Sequence, residues 1–133
     1  MIALDTNAIV RLLTEDDEIQ AKVVQTIIKN AETNGTRLLV LSEVVIETVW
    51  VIESVYQCNR DEITVFIGNL LAVRTFYLPD SAIIRKAMNQ YREHGDFADL
   101  LIVGQAKKYH ANKLFSFDKK LQKRFPTFVT ETI

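Results

Sequence analysis

A single cysteine, Cys58, stands in this chain of 133 residues, so no internal disulfide can form. Nothing at the N-terminus resembles a secretion signal, and the two observations together predict a reducing, cytoplasmic setting. Two prolines and four glycines leave no Pro/Gly-rich linker, and there is neither a low-complexity tract nor an internal repeat. His94, His110 and Cys58 lie far apart without zinc-ligand spacing. No uninterrupted apolar run is long enough for a membrane span: the most apolar stretch, Leu38 to Tyr56, is cut by Glu43, Glu47 and Glu53. A P-loop, a G-x-G-x-x-G and a convincing Ser/His/Asp order are also missing. Charge of one sign is lacking as well. Sixteen Lys and Arg face seventeen Asp and Glu, a formal net charge of -1 that gives no bulk signal for nucleic acid.

What is present describes an ordinary folded protein. Apolar residues make up 48% and charged residues 25% of the chain, enough of the former for one core. The length predicts a single domain over residues 1–133. The near-zero charge hides an asymmetry. Residues 1–84 carry six basic against twelve acidic groups, and residues 85–133 carry ten against five. Solvated helix faces of differing sign explain this blandly; a basic surface beside an acidic, cation-holding site explains it functionally.

Periodicity predicts strands alternating with helices. Met1–Asp5 reads as a short buried strand ending in a carboxylate, and Arg37–Leu41, Thr75–Leu78 and Leu114–Phe117 read likewise, with a short fifth at Phe128–Val129. Ile19, Val23, Ile27 and Ala31 recur at helical spacing before Gly35, a stop signal. Ser42 is a candidate N-cap for a helix whose inner face is Val45, Val49, Ile52 and Tyr56. Asn59 and Glu62 have the spacing of a capping box. Asp80 and Asp96 open two further helices, the second containing Gly104, a residue that costs about 1 kcal/mol there relative to Ala and suits close approach of another backbone. Alternation of this kind implies crossover connections and a mostly parallel sheet.

In such sheets ligands bind beyond the carboxyl ends of the strands. Asp5 and Asp118 both follow strands, and each alone reads equally as a helix cap. Glu47 lies within Val44-Val-Ile-Glu-Thr-Val-Trp-Val-Ile52, where burial would require a partner or a metal; the alternative is an exposed stripe with Glu43 and Ser54. Asp99 falls in the first turn after Asp96, a position that also suits the helix dipole. Carboxylates brought together would repel unless protonated or neutralised, and an all-oxygen set suits a hard divalent cation, Mg²⁺ or Mn²⁺.

Four segments, Ile2-Ala-Leu-Asp-Thr-Asn7, Val45-Ile-Glu-Thr-Val-Trp-Val-Ile52, Asp96-Phe-Ala-Asp-Leu-Leu-Ile-Val103 and Phe115-Ser-Phe-Asp118, together resemble the PIN domain, especially VapC-type toxins of VapBC toxin–antitoxin pairs. The resemblance runs over essentially the whole chain. It implies an α/β, PIN-like three-layer sandwich with a central, mostly parallel twisted sheet flanked by helices on both faces. It further implies a Mg²⁺- or Mn²⁺-dependent endoribonuclease. Asp5, Glu47, Asp99 and Asp118 match the catalytic acids; Asp5, Asp99 and Asp118 would hold the metal, with Glu47 and Asp96 as additional ligands, direct or through water. Asn7 and Ser116 match supporting polar positions. An RNA substrate, a small antitoxin in the acidic groove and a homodimer follow from the same likeness. Lys107, Lys108, Lys119, Lys120, Lys123 and Arg124 are the candidate phosphate contacts, and Tyr109 and Phe125 lie near them. Two other functions compete: a catalytically silent PIN-like RNA-binding or interaction module, and a small phosphatase using Asp5 as nucleophile.

Overall fold

Two-residue strands separated by helices make up most of the chain in the computed structural model, which describes residues 1–132. The order is β1 (Ile2–Ala3), α1 (Thr6–Thr14), α2 (Glu18–Asn34), β2 (Leu38–Leu39), α3 (Ser42–Ser54), α4 (Arg60–Ala72), β3 (Phe76–Tyr77), α5 (Ser81–Glu93), α6 (Phe97–Lys108), β4 (Leu114–Phe115), α7 (Lys119–Arg124) and β5 (Val129–Thr130). Contacts divide the chain into two compact units, Met1–Ser81 and the segment from Ala82 onward. The charge asymmetry follows this division, because residues 82–84 carry no charge.

In the first unit β1, β2 and β3 form a parallel sheet in that order, with Ile2 opposite Leu38 and Leu38 opposite Phe76. Leu4, Leu38, Val40, Phe76 and Leu78 are buried, and fully burying side chains of this kind is worth about 1.5–3 kcal/mol each. Connections through helices are what parallel pairing requires. Helix α3 buries Val45, Val49 and Ile52, as its periodicity predicts. Asn59 and Glu62 close a reciprocal capping box at the start of α4. Gly35 ends α2 in the left-handed region at φ 66°, where its N–H reaches the carbonyls of Ala31 and Glu32.

Two local expectations change. The buried stripe of α2 is Ala21, Val24 and Ala31, whereas Ile19 is 79% exposed and Val23 is exposed too. Small residues let the helix lie close, and this rotates the larger ones outward. Ser42 does not cap α3: Leu41 holds the cap position without a side-chain bond, and the Ser42 hydroxyl donates instead to Asp80.

In the second unit β4 and β5 pair in parallel, Leu114 opposite Val129. The strands are thus shared between two parallel sheets, three strands and two. Val103, Leu121 and Val129 form a buried cluster, with Leu114, Phe125 and Phe128 packed against it. Tyr91 is buried in edge-to-face contact with Phe97. Gly104 of α6 does face a close neighbour, but it is a side chain of α5 and not backbone. A Cβ added there would stand 2.6 Å from Ile83 Cγ2.

Candidate active site

Three of the acids found in the sequence are helix caps. Asp5, directly beyond β1, accepts from the Ala8 N–H at 3.0 Å and opens α1. Asp96 accepts from the Asp99 N–H at 3.1 Å and opens α6. Asp118, beyond β4, accepts from the Leu121 N–H at 3.0 Å and opens α7. Each bond engages one oxygen of the carboxylate. A carboxylate has two oxygens and about four acceptor directions, so capping orients the group without exhausting it.

In the first unit Asp5 and Asn7 are exposed on the entry to α1, with Thr6 half-buried between them. Glu47 is exposed too. The apolar sequence around it therefore does not bury it: Val45, Thr48 and Val49 turn inward, while Glu43, Glu47 and Trp50 occupy the outer face, Trp50 at 64% exposure. The exposed-stripe reading of Glu47 is the correct one. Thr48, beside it, is fully buried, and among the described residues its Oγ1 has no hydrogen-bond partner.

In the second unit the acids act on one another. Asp99 is half-buried in the first turn of α6, and burial first, then the charges of Asp96 and Asp118, push its carboxyl above the usual aspartate range. Mutual repulsion of this kind is what a bound cation would relieve. Ser116 fixes the turn that carries Asp118: its Oγ accepts from the Asp118 N–H at 3.1 Å, and its carbonyl accepts from Gln122 Nε2 at 2.8 Å. The donor set is entirely oxygen, which suits Mg²⁺ or Mn²⁺ and not zinc. Among the described residues no three His, Cys, Asp or Glu side chains are gathered as a finished metal cage. A Mg²⁺ site of one or two carboxylates completed by water has no need of such a cage.

The basic residues of the second unit divide by occupation. Arg124 holds the end of α5, with its guanidinium on the carbonyls of Gln90 and His94 and 2.8 Å from His94 Nδ1. Lys107 lies over the rings of Phe125 and Phe128, Lys108 lies 5.8 Å from the Tyr109 ring centre, and Lys119 is paired with Glu131. Lys120 and Lys123 stand exposed on α7. Of the two aromatics near them in sequence, Tyr109 is exposed and Phe125 belongs to the apolar cluster. Sequence reasoning missed a more prominent pair, Phe115 and Phe117, both exposed; their alternation with Ser116 reads as a core strand until burial is known.

No helix among the described residues is long and apolar enough to cross a membrane. A VapC ribonuclease of Aquifex aeolicus (strain VF5) is 27% identical to this chain over 124 residues, covering 92% of the chain and 91% of that protein. The model of the PIN domain family matches residues 2–126, which takes in the strand-terminal acids of both units. This chain belongs to the PIN domain family.

Proposed function

We propose that this protein is a metal-dependent endoribonuclease that hydrolyses RNA phosphodiesters, acting as the toxin of a toxin–antitoxin pair. The observation that carries the reading is the acidic group of the second unit, where Asp99 is held above its ordinary range by burial, Asp96 and Asp118. A folded protein keeps such repulsion where function needs it. Asp5, Asp99 and Asp118 would hold Mg²⁺ or Mn²⁺, with Asp96 as an additional ligand. A bound ion of this kind supplies an activated water and relief of negative charge on the phosphoryl group.

The chain's own residues do the rest. The capping bonds of Asp5 and Asp118 fix their carboxylates before substrate arrives, so little reorganisation remains at the moment of reaction. Ser116 steadies Asp118 through the backbone, and Asn7 is the polar group beside Asp5. Glu47, exposed on α3, orients the attacking water by accepting one of its protons in a hydrogen bond. Lys120 and Lys123, exposed on α7, are the first candidates for phosphate contact. A small antitoxin would cover the acids in the cytoplasm. The exposed Ile19 and Val23, one turn apart on α2, offer apolar surface for a homodimer.

Asn caps a helix as well as Asp does but carries no charge. Asp5→Asn and Asp118→Asn should therefore fold with near-unchanged stability while losing RNA cleavage by about 100-fold or more with Mg²⁺ or Mn²⁺ present. Cleavage at the original rate by either folded variant would remove that acid from the catalytic set. Failure of the unmodified protein to bind divalent ions or cut RNA would leave a binding module in place of an enzyme.

A further inference from the structure

Two phenyl rings stand out in water at the end of β4. Phe117 is 74% exposed and Phe115 48%, and the rings meet edge to face with centroids 5.1 Å apart at 87°. Large aromatic side chains are ordinarily buried, so an exposed pair held in contact marks an interaction surface. Extended backbone sends alternate side chains to opposite sides. Phe115 and Phe117 accordingly share one side of the strand end. Ser116 and Asp118 take the other, where the Asp118 N–H donates to Ser116 Oγ.

The charge around the rings selects among occupants. Asp118 follows Phe117 directly, and α7 then presents Lys119, Lys120 and Lys123 within one short helix. Ten basic groups against five acidic ones stand in residues 85–133. An apolar protein partner would bury the rings and gain nothing from the cations. A nucleic-acid duplex would use the cations, but the faces of its bases are stacked away from any ring. A single strand uses both, offering unpaired base faces to aromatics and phosphates to lysines.

We propose that Phe117, braced by the edge of Phe115, is a stacking platform for an unpaired base of the RNA substrate, next to the phosphate handled at Asp118. The proposal rests on the ribonuclease reading and narrows it: the substrate is single-stranded or looped RNA. Stacking tolerates any base, so the platform selects unpaired structure over sequence. Phe115 is a positioning residue, since it acts by holding the Phe117 ring.

Binding separates this proposal from cleavage. In an Asp99→Asn background, which removes cutting, anisotropy of a labelled single-stranded RNA and of the duplex made from it gives both affinities. Adding Phe117→Ala should weaken the single strand about 5- to 150-fold, the range for loss of one stacking aromatic. Phe117→Trp should retain its affinity, and the duplex, held through phosphates alone, should bind unchanged. Phe115→Ala should give a smaller loss on the single strand only. Circular dichroism of each variant should match the parent, because neither ring is buried.

Unaltered single-strand affinity in Phe117→Ala overturns the platform, and so does an equal loss on single strand and duplex. A change of oligomeric state in that variant would assign the rings to contact between copies and overturn it also. If the unmodified protein cuts RNA while Phe117→Ala binds normally, the platform fails and the nuclease stands. If the unmodified protein neither cuts nor binds RNA, both fail.

Discussion

The Ser42 hydroxyl donates to Asp80 Oδ2 at 2.8 Å, tying the start of α3 to the turn after β3 across 38 residues of sequence. Helix α3 has no side-chain cap, and Ser42 is buried, so this bond is what secures its first turn. Hydrogen bonds to charged groups contribute about 1.5–3 kcal/mol. Ser42→Ala should lower unfolding stability by that amount, and adding Asp80→Ala should cost clearly less than the sum of the single effects. Urea unfolding of the two single variants and the double variant measures the coupling; strict additivity would show that the bond contributes nothing.

Thr48 gives the opposite sign. Its buried hydroxyl has no partner among the described residues, and an unsatisfied buried polar group costs about 1–3 kcal/mol. Thr48→Val keeps the shape and removes the penalty, so the urea midpoint should rise by the equivalent of about 1 kcal/mol. A lower midpoint would reveal that the hydroxyl is bonded in solution.

Asp16 makes stability depend on acid. Its carboxyl is held below its ordinary value of 3.8, first by the Tyr56 hydroxyl at 2.6 Å, with Thr14 and Arg11 adding to the effect against a small opposing desolvation. A depressed folded value favours the folded state at pH above the unfolded value. That advantage disappears as the pH falls through the folded value. Tyr56→Phe removes the largest cause. It should lower stability at neutral pH and make the decline below about pH 4 shallower than in the parent. Parallel pH profiles for the two proteins would contradict this.

Gly104→Ala sets helix propensity against space. Alanine gains about 1 kcal/mol in a helix interior, but its Cβ would meet Ile83 Cγ2, the stiff methyl of a β-branched residue, at 2.6 Å. Overpacking of this kind costs about 1–3 kcal/mol. The thermal midpoint of Gly104→Ala should therefore fall, and Ile83→Val should not rescue it, because valine keeps that methyl. Truncation to Ile83→Ala in the same background should recover part of the loss.

Local patterns were legible wherever the chemistry is local. The capping box of Asn59 and Glu62, the stop at Gly35 and the caps of Asp5, Asp96 and Asp118 depend on a few adjacent residues, and the structure forms each of them. Parallel pairing followed from the alternation of elements. The same four acid-bearing segments carried the family likeness that the match over residues 2–126 bears out.

Tertiary packing decided what a side chain faces. A run of Val and Ile suggests burial for all its members, yet a helix has only one inner face, so Glu47 and Trp50 turn to water while Thr48 is enclosed. Ser42 has the chemistry of a cap, but a carboxylate 38 residues away competes for its hydroxyl and wins. Phe115 and Phe117 alternate like core residues, and nothing in the sequence says that their side of β4 is exposed. Sequence alone determined the elements, the acids and the family, because those rest on short-range spacing. Exposure and long-range partners depend on which surfaces meet, and only the folded chain decides that.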